Sequence, residues 1–261
     1  IEAGFKQADF ILEETFVTQA LSHHSMEPRT AMAYWQNGKL YLHGSSQSVS
    51  FAVPGIAKLL GIDPAQLVFI SENTGGGFGS KGTGYPQWGI PAILAKKTGR
   101  PVMMRVTRDE EYAFGRARAG FQGWVKIGFR KDGRVTALDL YIIHSNGPYE
   151  GFPDFRNAGN AVSVVYQPMA MRWRGISVLT NTPPRGPQRG PGPNQIVVAI
   201  EPFIDKAARK LGVDRVAIRR LNAPNNDGKV GPKQGPITSS YLPEALDKGA
   251  ARFNWAKKQA L

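Results

Sequence analysis

The pattern of apolar and polar positions predicts an alternation of strands and helices. Apolar runs at residues 30–35 and 39–44 flank an Asn-Gly pair, which is a strong signal for a β-hairpin. Apolar residues then recur at helical spacing over residues 53–60, and Gly61 is a natural end for that helix. A short apolar run at residues 67–70 predicts one more strand beside the hairpin.

The same alternation continues through the middle of the chain. A glycine-rich turn is followed by a helix, a strand and a second hairpin, at residues 75–84, 86–97, 102–107 and 121–145. Residues 147–174 contain many aromatic side chains without a clear period, and we expect them to be irregular.

The C-terminal third is predicted to be mainly helical. A strand and a Pro/Gly-rich loop come first, at residues 175–180 and 183–193. Polar residues that can cap helices precede two helical segments, and a loop separates these from a last helix. These C-terminal predictions are a helix capped by Asn194 and running to Leu211, a helix capped by Asp214 and running to Leu221, a loop over residues 222–240 and a helix over residues 243–255.

These elements predict an α+β fold in which helices pack on mixed sheets. The alternation of helix and strand gives way to a hairpin near residues 114–120. We therefore expect two subdomains, which cover residues 1–116 and residues 117–261.

Composition narrows the possible chemistry. The chain of 261 residues is 41% apolar, which is enough for a sizeable core. It contains no Cys, which excludes disulfides, Cys-ligated zinc or iron–sulfur centres and thiolate catalysis. No segment approaches the roughly 18 apolar residues of a membrane span, so we expect no membrane insertion. The expected compartment is the cytoplasm, with the periplasm as the alternative.

The net charge of +13 is unevenly distributed. Residues 1–27 are acidic, whereas residues 96–134 and 172–261 carry most of the Lys and Arg. The basic side chains are scattered between apolar ones and form no basic helix, so nucleic acid is not the expected partner. An anionic small-molecule ligand or a large acidic partner subunit accounts for the charge at least as well.

The strongest local motif is the sequence Gly-Gly-Gly-Phe-Gly-Ser-Lys at residues 75–81. Glycines allow positive φ and expose backbone N–H groups that can bind an anion. The motif is not a Walker phosphate loop, because Gly82 follows the lysine where Ser or Thr is required. Residues 77–82 do satisfy the G-x-G-x-x-G pattern of dinucleotide-binding enzymes, although the expected acid at the end of the next strand is replaced by Arg105.

Several motifs in the same order resemble a known family, the molybdopterin-binding large subunits of the xanthine oxidase and aldehyde oxidoreductase family. The resemblance covers nearly the whole chain and corresponds to the N-terminal half of such a subunit. The matching segments are His-His-Ser-Met-Glu-Pro at residues 23–28, Ser-Ser-Gln at 45–47, the glycine-rich motif at 75–81, Arg-Val-Thr-Arg-Asp-Glu-Glu at 105–111, Thr-Asn-Thr-Pro-Pro at 180–184, Arg-Gly-Pro-Gly at 189–192, and residues Glu201, Ile204, Asp205, Ala208, Leu211, Gly212, Arg219, Leu221 and Asn222.

The resemblance implies a fold, a cofactor and roles for particular residues. The fold would be that of the family's molybdenum-binding domain, and the cofactor would be molybdopterin or its cytosine dinucleotide. The pterin holds the metal in this family, so no protein side chain is expected to ligate molybdenum. Gln47 would donate an amide hydrogen bond to an oxo group on the metal. The backbone of Gly76, Gly77, Phe78 and Gly79 would approach the cofactor, the Phe78 ring would shape the substrate pocket, and Arg189 would orient substrate or stabilise developing negative charge.

The implied activity is hydroxylation of an aldehyde or an N-heteroaromatic substrate with oxygen from water. Electrons would leave through an iron–sulfur subunit, with FAD as a further cofactor on a flavin subunit. Purine-oxidising members carry Glu where this chain has Gly82, and the tyrosine that often precedes R-G-x-G is Gln188 here. The family's catalytic glutamate lies in a G-x-G-E context that this sequence lacks, so either a further part of the same subunit or, if the subunit is naturally split, a partner chain is expected to supply it.

Two other classes of protein remain open at this point. The first is a nicotinamide-dependent dehydrogenase that uses the G-x-G-x-x-G loop, and the second is a non-catalytic scaffold subunit. The individual residues also have ordinary structural interpretations. Gln47 can satisfy backbone groups, Phe78 can be core, Arg189 can pair with a partner's carboxylates, and Glu27 can be a structural residue.

Overall fold

The computed structural model describes residues 1–149 and 151–259, and its two main sheets each contain four strands. The strands are β1 (Phe10–Thr18), β2 (Leu21–Ser22), β3 (Thr30–Gln36), β4 (Lys39–Gly44), β5 (Leu67–Ile70), β6 (Val102–Arg105), β7 (Ala117–Arg118), β8 (Phe121–Phe129), β9 (Val135–Gly147), β10 (Ala170–Leu179), β11 (Lys229–Val230) and β12 (Gly235–Pro236). The α-helices are α1 (Glu2–Phe5), α2 (Val49–Leu60), α3 (Pro86–Thr98), α4 (Arg108–Phe114), α5 (Asp154–Tyr166), α6 (Pro193–Leu211), α7 (Arg215–Asn222), α8 (Leu242–Phe253) and α9 (Trp255–Gln259). The predicted α+β class is confirmed.

The first sheet has the strand order β5-β4-β3-β6. The predicted hairpin of β3 and β4 is confirmed, and both residues of its turn, Asn37 and Gly38, have positive φ as a tight hairpin requires. Helices α2 and α3 end at Gly61 and Gly99 in the left-handed conformation, as the sequence predicts. Their apolar faces pack with this sheet around the fully buried Trp88 to form the smaller of two cores.

The second sheet has the order β1-β8-β9-β10, with β9 and β10 parallel and the other pairs antiparallel. Helix α5 connects the two parallel strands, as a crossover must. Helices α5 and α6 lie over one face and bury the larger core. Strand β1 precedes the first sheet in sequence but belongs to the second sheet, so the two sheets do not correspond to two consecutive parts of the chain. The boundary between two subdomains at residue 116 stays a prediction.

The expectation that residues 147–174 are irregular is wrong. Helix α5 occupies Asp154–Tyr166, and β10 begins at Ala170, five residues before the predicted strand. Buried Ala158, Val162 and Tyr166 follow each other four residues apart, so the helix has an apolar stripe that is easily overlooked among small and polar residues.

Several predicted boundaries also shift. Helix α6 begins at Pro193, with Gly192 rather than Asn194 as its N-cap, because Gly192 adopts a φ of 94° and its N–H donates to the Gln195 side chain. Helix α2 starts at Val49 instead of residue 53, and β6 ends at Arg105 instead of residue 107. The predicted loop over residues 222–240 contains the short β11–β12 pair, and the last predicted helix is divided into α8 and α9.

The glycine-rich loop does not lie in a dinucleotide-binding fold. Strand β5, which precedes the loop, lies at one edge of the first sheet, and β6, which follows α3, lies at the other edge. The glycine-rich loop and α3 connect β5 to β6, and both β4 and β3 lie between these two strands, so the loop is not part of a βαβ unit of neighbouring parallel strands, which the dinucleotide motif requires. The nicotinamide alternative therefore loses its structural basis.

No helix in the described part of the chain is long and apolar enough to cross a membrane.

Candidate cofactor site between two loops

The loop after β5 presents a row of backbone N–H groups. Gly76, Phe78 and Gly79 have φ angles of 99°, 54° and 112°. Within the described residues, the N–H groups of Gly76, Gly77 and Phe78 donate to no protein acceptor. Successive backbone amides in such a conformation form a concave site for an electronegative group. Phe78 is the one non-glycine residue of this row, and its left-handed backbone is the kind of strain found at binding sites.

Gln47 is fixed against this loop through its carbonyl oxygen. Its Oε1 accepts hydrogen bonds from the N–H groups of Gly79 and Lys81 at 2.8 and 3.3 Å. Because both of these partners are donors, the amide orientation is determined, and the Nε2 group points away from them. Within the described residues Nε2 makes no hydrogen bond, so it remains available as a donor.

Gly77 is required by the position of Gln47. A Cβ atom at Gly77 would lie 2.4 Å from Gln47 Oε1, well inside contact distance. Gly77 is expected to allow close approach of a cofactor, whereas the nearest obstacle to a side chain at this position is Gln47 itself. A larger residue at position 77 would thus displace the amide that the site depends on.

Two ion pairs hold the loop in place, of which the first is half-buried. Lys81, which is fully buried, donates to the backbone carbonyl of Glu27 at 2.8 Å and to its carboxylate at 2.9 Å. Burial alone would raise the pKa of Glu27, but the hydrogen bonds from Lys81 and Gly75 hold that pKa below its ordinary value. These contacts agree with the interpretation of Glu27 as a structural residue.

The second pair joins Arg29 and Glu111, both buried. Arg29 also donates to the carbonyl oxygen of Ser80 at 2.6 Å, and its guanidinium lies 4.7 Å from the centre of the Tyr85 ring. Glu111 lies on α4, whose N-terminus is capped by Thr107. The pair therefore ties α4 to the glycine-rich loop.

The Pro/Gly-rich loop before α6 meets the glycine-rich loop directly. The N–H of Arg189 donates to the carbonyl oxygen of Phe78 at 2.7 Å, and its guanidinium lies 5.3 Å from the centre of the Phe78 ring. A Cβ atom at Gly79 would lie only 2.0 Å from the carbonyl oxygen of Pro187. These contacts allow almost no space between the two loops.

His23 fastens this junction to the rest of the fold. Its two ring nitrogens lie 2.8 Å from the carbonyl oxygens of Arg116 and Pro187. Burial lowers the pKa of His23, and the positive charges of Arg29 and Arg118 lower it further, against the opposite effect of the two carbonyls. We therefore expect a neutral ring at neutral pH, whose single N–H donates to one of the two carbonyls, and this makes His23 a structural residue and not a base.

Arg118 holds the second loop, which is the Pro/Gly-rich loop before α6, in place from its buried side. Its buried guanidinium donates to the side chains of Gln188 and Gln195 at 2.7 and 2.8 Å and to the backbone carbonyls of Arg189 and Gly190 at 2.7 and 3.1 Å. Gln188, which replaces the tyrosine common in the family, thus serves as an acceptor for Arg118. Arg118 sets the position of Arg189 through the hydrogen bond to its backbone carbonyl.

Asp154 also supports the second loop, and its ionisation makes the free energy of unfolding depend on pH. Its carboxylate accepts a hydrogen bond from Gln195 at 2.8 Å, and burial raises its pKa to about 6 from 3.8 in spite of that bond and of Arg118. Between those two values the folded chain binds a proton that the unfolded chain has lost. The free energy of unfolding therefore falls as the pH rises from 4 to 6, and the full penalty is present above 6.

Asp154→Asn removes this ionisable group and keeps an acceptor for Gln195. At pH 7.5 we expect its free energy of unfolding to exceed that of the wild type by about 2 kcal/mol, and we expect the difference to vanish near pH 4. Urea unfolding at several pH values measures this, with exposed Asp227→Asn as the control that should show no such trend. A difference that does not change with pH would contradict the assignment.

The structure brings the predicted site residues together. Gly76, Gly77, Phe78 and Gly79 form one loop, Gln47 hydrogen-bonds to it, and Arg189 stacks on it. The roles assigned to them on the cofactor and the substrate stay predictions. In the described residues, no group of three or more His, Asp or Glu side chains is placed to hold a metal ion.

The supporting residues were not found from the sequence. Arg118 lies between alanines with no motif to mark it, and its partners are about 70 residues away. Gln195 had a usable signal, because Gln at the third position of a helix is typical of a capping box. That signal was hidden when the start of α6 was placed at Asn194.

The arrangement fits a cofactor that presents electronegative atoms. Within the described residues, the N–H groups of three consecutive loop residues have no acceptor, and neither has the Nε2 of Gln47, whose Oε1 is hydrogen-bonded to the same loop. These donors suit oxo groups and pterin heteroatoms better than a bare cation, because N–H groups cannot coordinate a metal ion.

Comparison with known proteins agrees with this interpretation. The family described as the molybdopterin cofactor-binding domain matches residues 1–223. The chain is 30% identical to a xanthine dehydrogenase molybdenum-binding subunit of Escherichia coli O157:H7, over all of this chain and 35% of that protein. It is 31% identical to an aldehyde oxidoreductase of Megalodesulfovibrio gigas, over 98% of this chain and 28% of that protein.

Solved structures show the same relationship. An aldehyde oxidoreductase from Desulfovibrio gigas superposes with a TM-score of 0.89 and 28% identity, over 99% of this chain and 29% of that one. A quinoline 2-oxidoreductase from Pseudomonas putida 86 gives 0.87 and 27%, over 99% and 34%. The chain therefore belongs to the family of molybdopterin cofactor-binding domains, and it spans about a third of the length of these relatives.

Proposed function

We propose that this chain forms one wall of a molybdenum cofactor site in an enzyme that hydroxylates an aldehyde or an N-heteroaromatic compound with oxygen from water. The observation that carries the proposal is that the glycine-rich loop has three N–H groups without an acceptor in the described residues and is hydrogen-bonded to Gln47, whose Nε2 is likewise without one. When bound, the cofactor supplies two-electron redox chemistry at molybdenum.

The residues of this chain would hold and orient the reactants. The Nε2 of Gln47 donates to an oxygen on the cofactor, and the N–H groups of Gly76, Gly77 and Phe78 bind its remaining acceptors. Gly79 permits the close junction with the second loop. The Phe78 ring, which is 40% exposed, offers a flat apolar surface for substrate, and Arg189 beside it stabilises negative charge.

The wider assembly is part of the same proposal. The cofactor is molybdopterin or its cytosine dinucleotide, and electrons pass to an iron–sulfur subunit, with FAD on a flavin subunit. A further segment or chain with the G-x-G-E motif supplies the catalytic glutamate. The absence of a carboxylate at Gly82 supports an aldehyde or heteroaromatic substrate rather than a purine.

Gln47→Glu separates the two functions of Gln47 in the assembled enzyme. The carboxylate still accepts from Gly79 and Lys81, so we expect the free energy of unfolding to stay within about 1 kcal/mol of the wild type. The donor on Nε2 is lost, and we expect turnover to fall at least about tenfold, because a donor aimed at a reacting centre has effects of this size or larger. Steady-state kinetics and urea unfolding of the same preparations measure both quantities.

Gln47→Leu is the companion variant and loses acceptor and donor together. It should be destabilised by about 1–3 kcal/mol, since two loop N–H groups lose their partner. Wild-type turnover in Gln47→Glu would show that the amide donor has no function and would refute the proposed role of Gln47.

A further inference from the structure

A cavity of about 500 Å³ opens beside Phe78 on the side of the second loop. Its lining includes Arg189, Arg118, His24 and Asn194, together with the apolar side chains of Leu21 and Phe78. None of the eight lining residues is acidic. The cavity thus combines a flat apolar wall with a strongly basic one.

The positive charge of Arg189 has no acidic partner among the residues that line this cavity. Its exposed guanidinium stacks on Phe78 and, within the described residues, forms no hydrogen bond or salt bridge. Arg118, in contrast, already donates to four neutral oxygens and is influenced by Asp154 through Gln195. A planar guanidinium with free donors is suited to bidentate binding of a carboxylate or a phosphate.

His24 adds a positioned donor at the rim. Its backbone has a φ of 49°, and its Nδ1 lies 3.1 Å from the hydroxyl of Tyr112, whose ring packs edge-on against the imidazole. When Tyr112 donates to Nδ1, the neutral ring carries its proton on Nε2, which then donates to a ligand. His23 beside it is engaged with two backbone carbonyls and is not available.

We propose that this cavity binds an oxyanion carried on a flat, partly apolar body, with Arg189 and His24 as the residues that select for it. The inference rests on the proposed function and deepens it, because the oxyanion is either the carboxylate of an aromatic substrate or a phosphate of the pterin cofactor. Both sources share the same chemistry, and the experiment separates them.

The test compares benzaldehyde with 4-carboxybenzaldehyde as substrates of the assembled enzyme. If the oxyanion belongs to the substrate, kcat/KM should favour the carboxylate at least about tenfold, and Arg189→Gln and His24→Gln should each reduce that ratio. Exposed Arg100→Gln is the control and should leave the ratio unchanged. The ratio, and not the rate alone, is decisive, because Arg189 also acts on all substrates.

If the oxyanion belongs to the cofactor, the ratio stays the same in every variant and the molybdenum and pterin content of Arg189→Gln falls at least severalfold. Unchanged ratios together with unchanged cofactor content would overturn the inference. Should the wild-type protein contain no pterin, the proposed function fails, and calorimetric titration with benzoate and inorganic pyrophosphate still tests the cavity. If Arg189→Gln then binds benzoate and pyrophosphate as tightly as the wild type does, the proposal that this cavity binds an oxyanion is refuted.

Discussion

Gly79→Ala is expected to separate the two loops and to abolish cofactor binding. The backbone φ of 112° disfavours any side chain, and the new Cβ would lie 2.0 Å from the carbonyl oxygen of Pro187. One loop must move, which breaks the hydrogen bond from Arg189 to Phe78. We expect a loss of about 3 kcal/mol in the free energy of unfolding and at least a tenfold loss of bound molybdenum.

Gly38→Ala is the matched control for this substitution. Gly38 has a φ of 74°, but no atom lies within 4 Å of the position of its Cβ. It should therefore cost about 1 kcal/mol through backbone strain alone and leave the molybdenum content unchanged. If Gly79→Ala behaves like Gly38→Ala in urea unfolding and in metal content, the close junction of the loops is not needed for the site.

Arg29→Met is expected to be the most destabilising change in the support of the loop. It leaves the buried carboxylate of Glu111 without its cation and frees the carbonyl oxygen of Ser80. Removal of one partner from a buried ion pair costs about 3–5 kcal/mol. Urea unfolding of the single variant measures the loss directly.

The double variant Arg29→Met with Glu111→Met distinguishes an unpaired charge from lost packing. Replacing both members of a buried pair by apolar residues often restores stability, so at least half of the loss should be regained. The backbone N–H of Arg29 still lacks the Glu111 carboxylate in the double variant, which prevents full recovery. A double variant that is less stable than Arg29→Met would contradict the ion-pair explanation.

Local signals were sufficient for the elements whose ends are marked by glycine or by a capping residue. The Asn-Gly turn between β3 and β4 and the cap at Asp214 are confirmed in the structure. In these cases one or two residues determine the backbone locally, so the sequence alone contains the information.

Elements stabilised by distant partners were not predictable in this way. The apolar pattern predicts no strand before residue 30, yet β1 pairs with β8 more than 100 residues away. The apolar stripe of α5 is weak in the sequence because Gly159 lies in it, and a glycine is needed there because the Trp173 ring occupies the place of a Cβ atom. In both cases tertiary packing and not local preference determines the structure.

The structure brings the proposed site residues together, but the geometry of their contacts could not be predicted from the sequence. Gln47, Phe78 and Arg189 were identified through resemblance to a family, because no spacing in the sequence connects them. The function of Gln47 Oε1 as the acceptor that shapes the loop and the position of Arg118 under the second loop depend on contacts across the whole chain. Such contacts produce no recurring spacing of residue types, so the sequence alone does not reveal them.

The most direct test is to determine how much molybdenum and pterin the purified protein contains per chain. Our account predicts about one molybdenum per chain, by elemental analysis, with a matching amount of pterin by fluorescence after oxidation. Protein that has been expressed with an intact cofactor supply and contains pyridine nucleotide, or no cofactor at all, in place of molybdenum and pterin would contradict it.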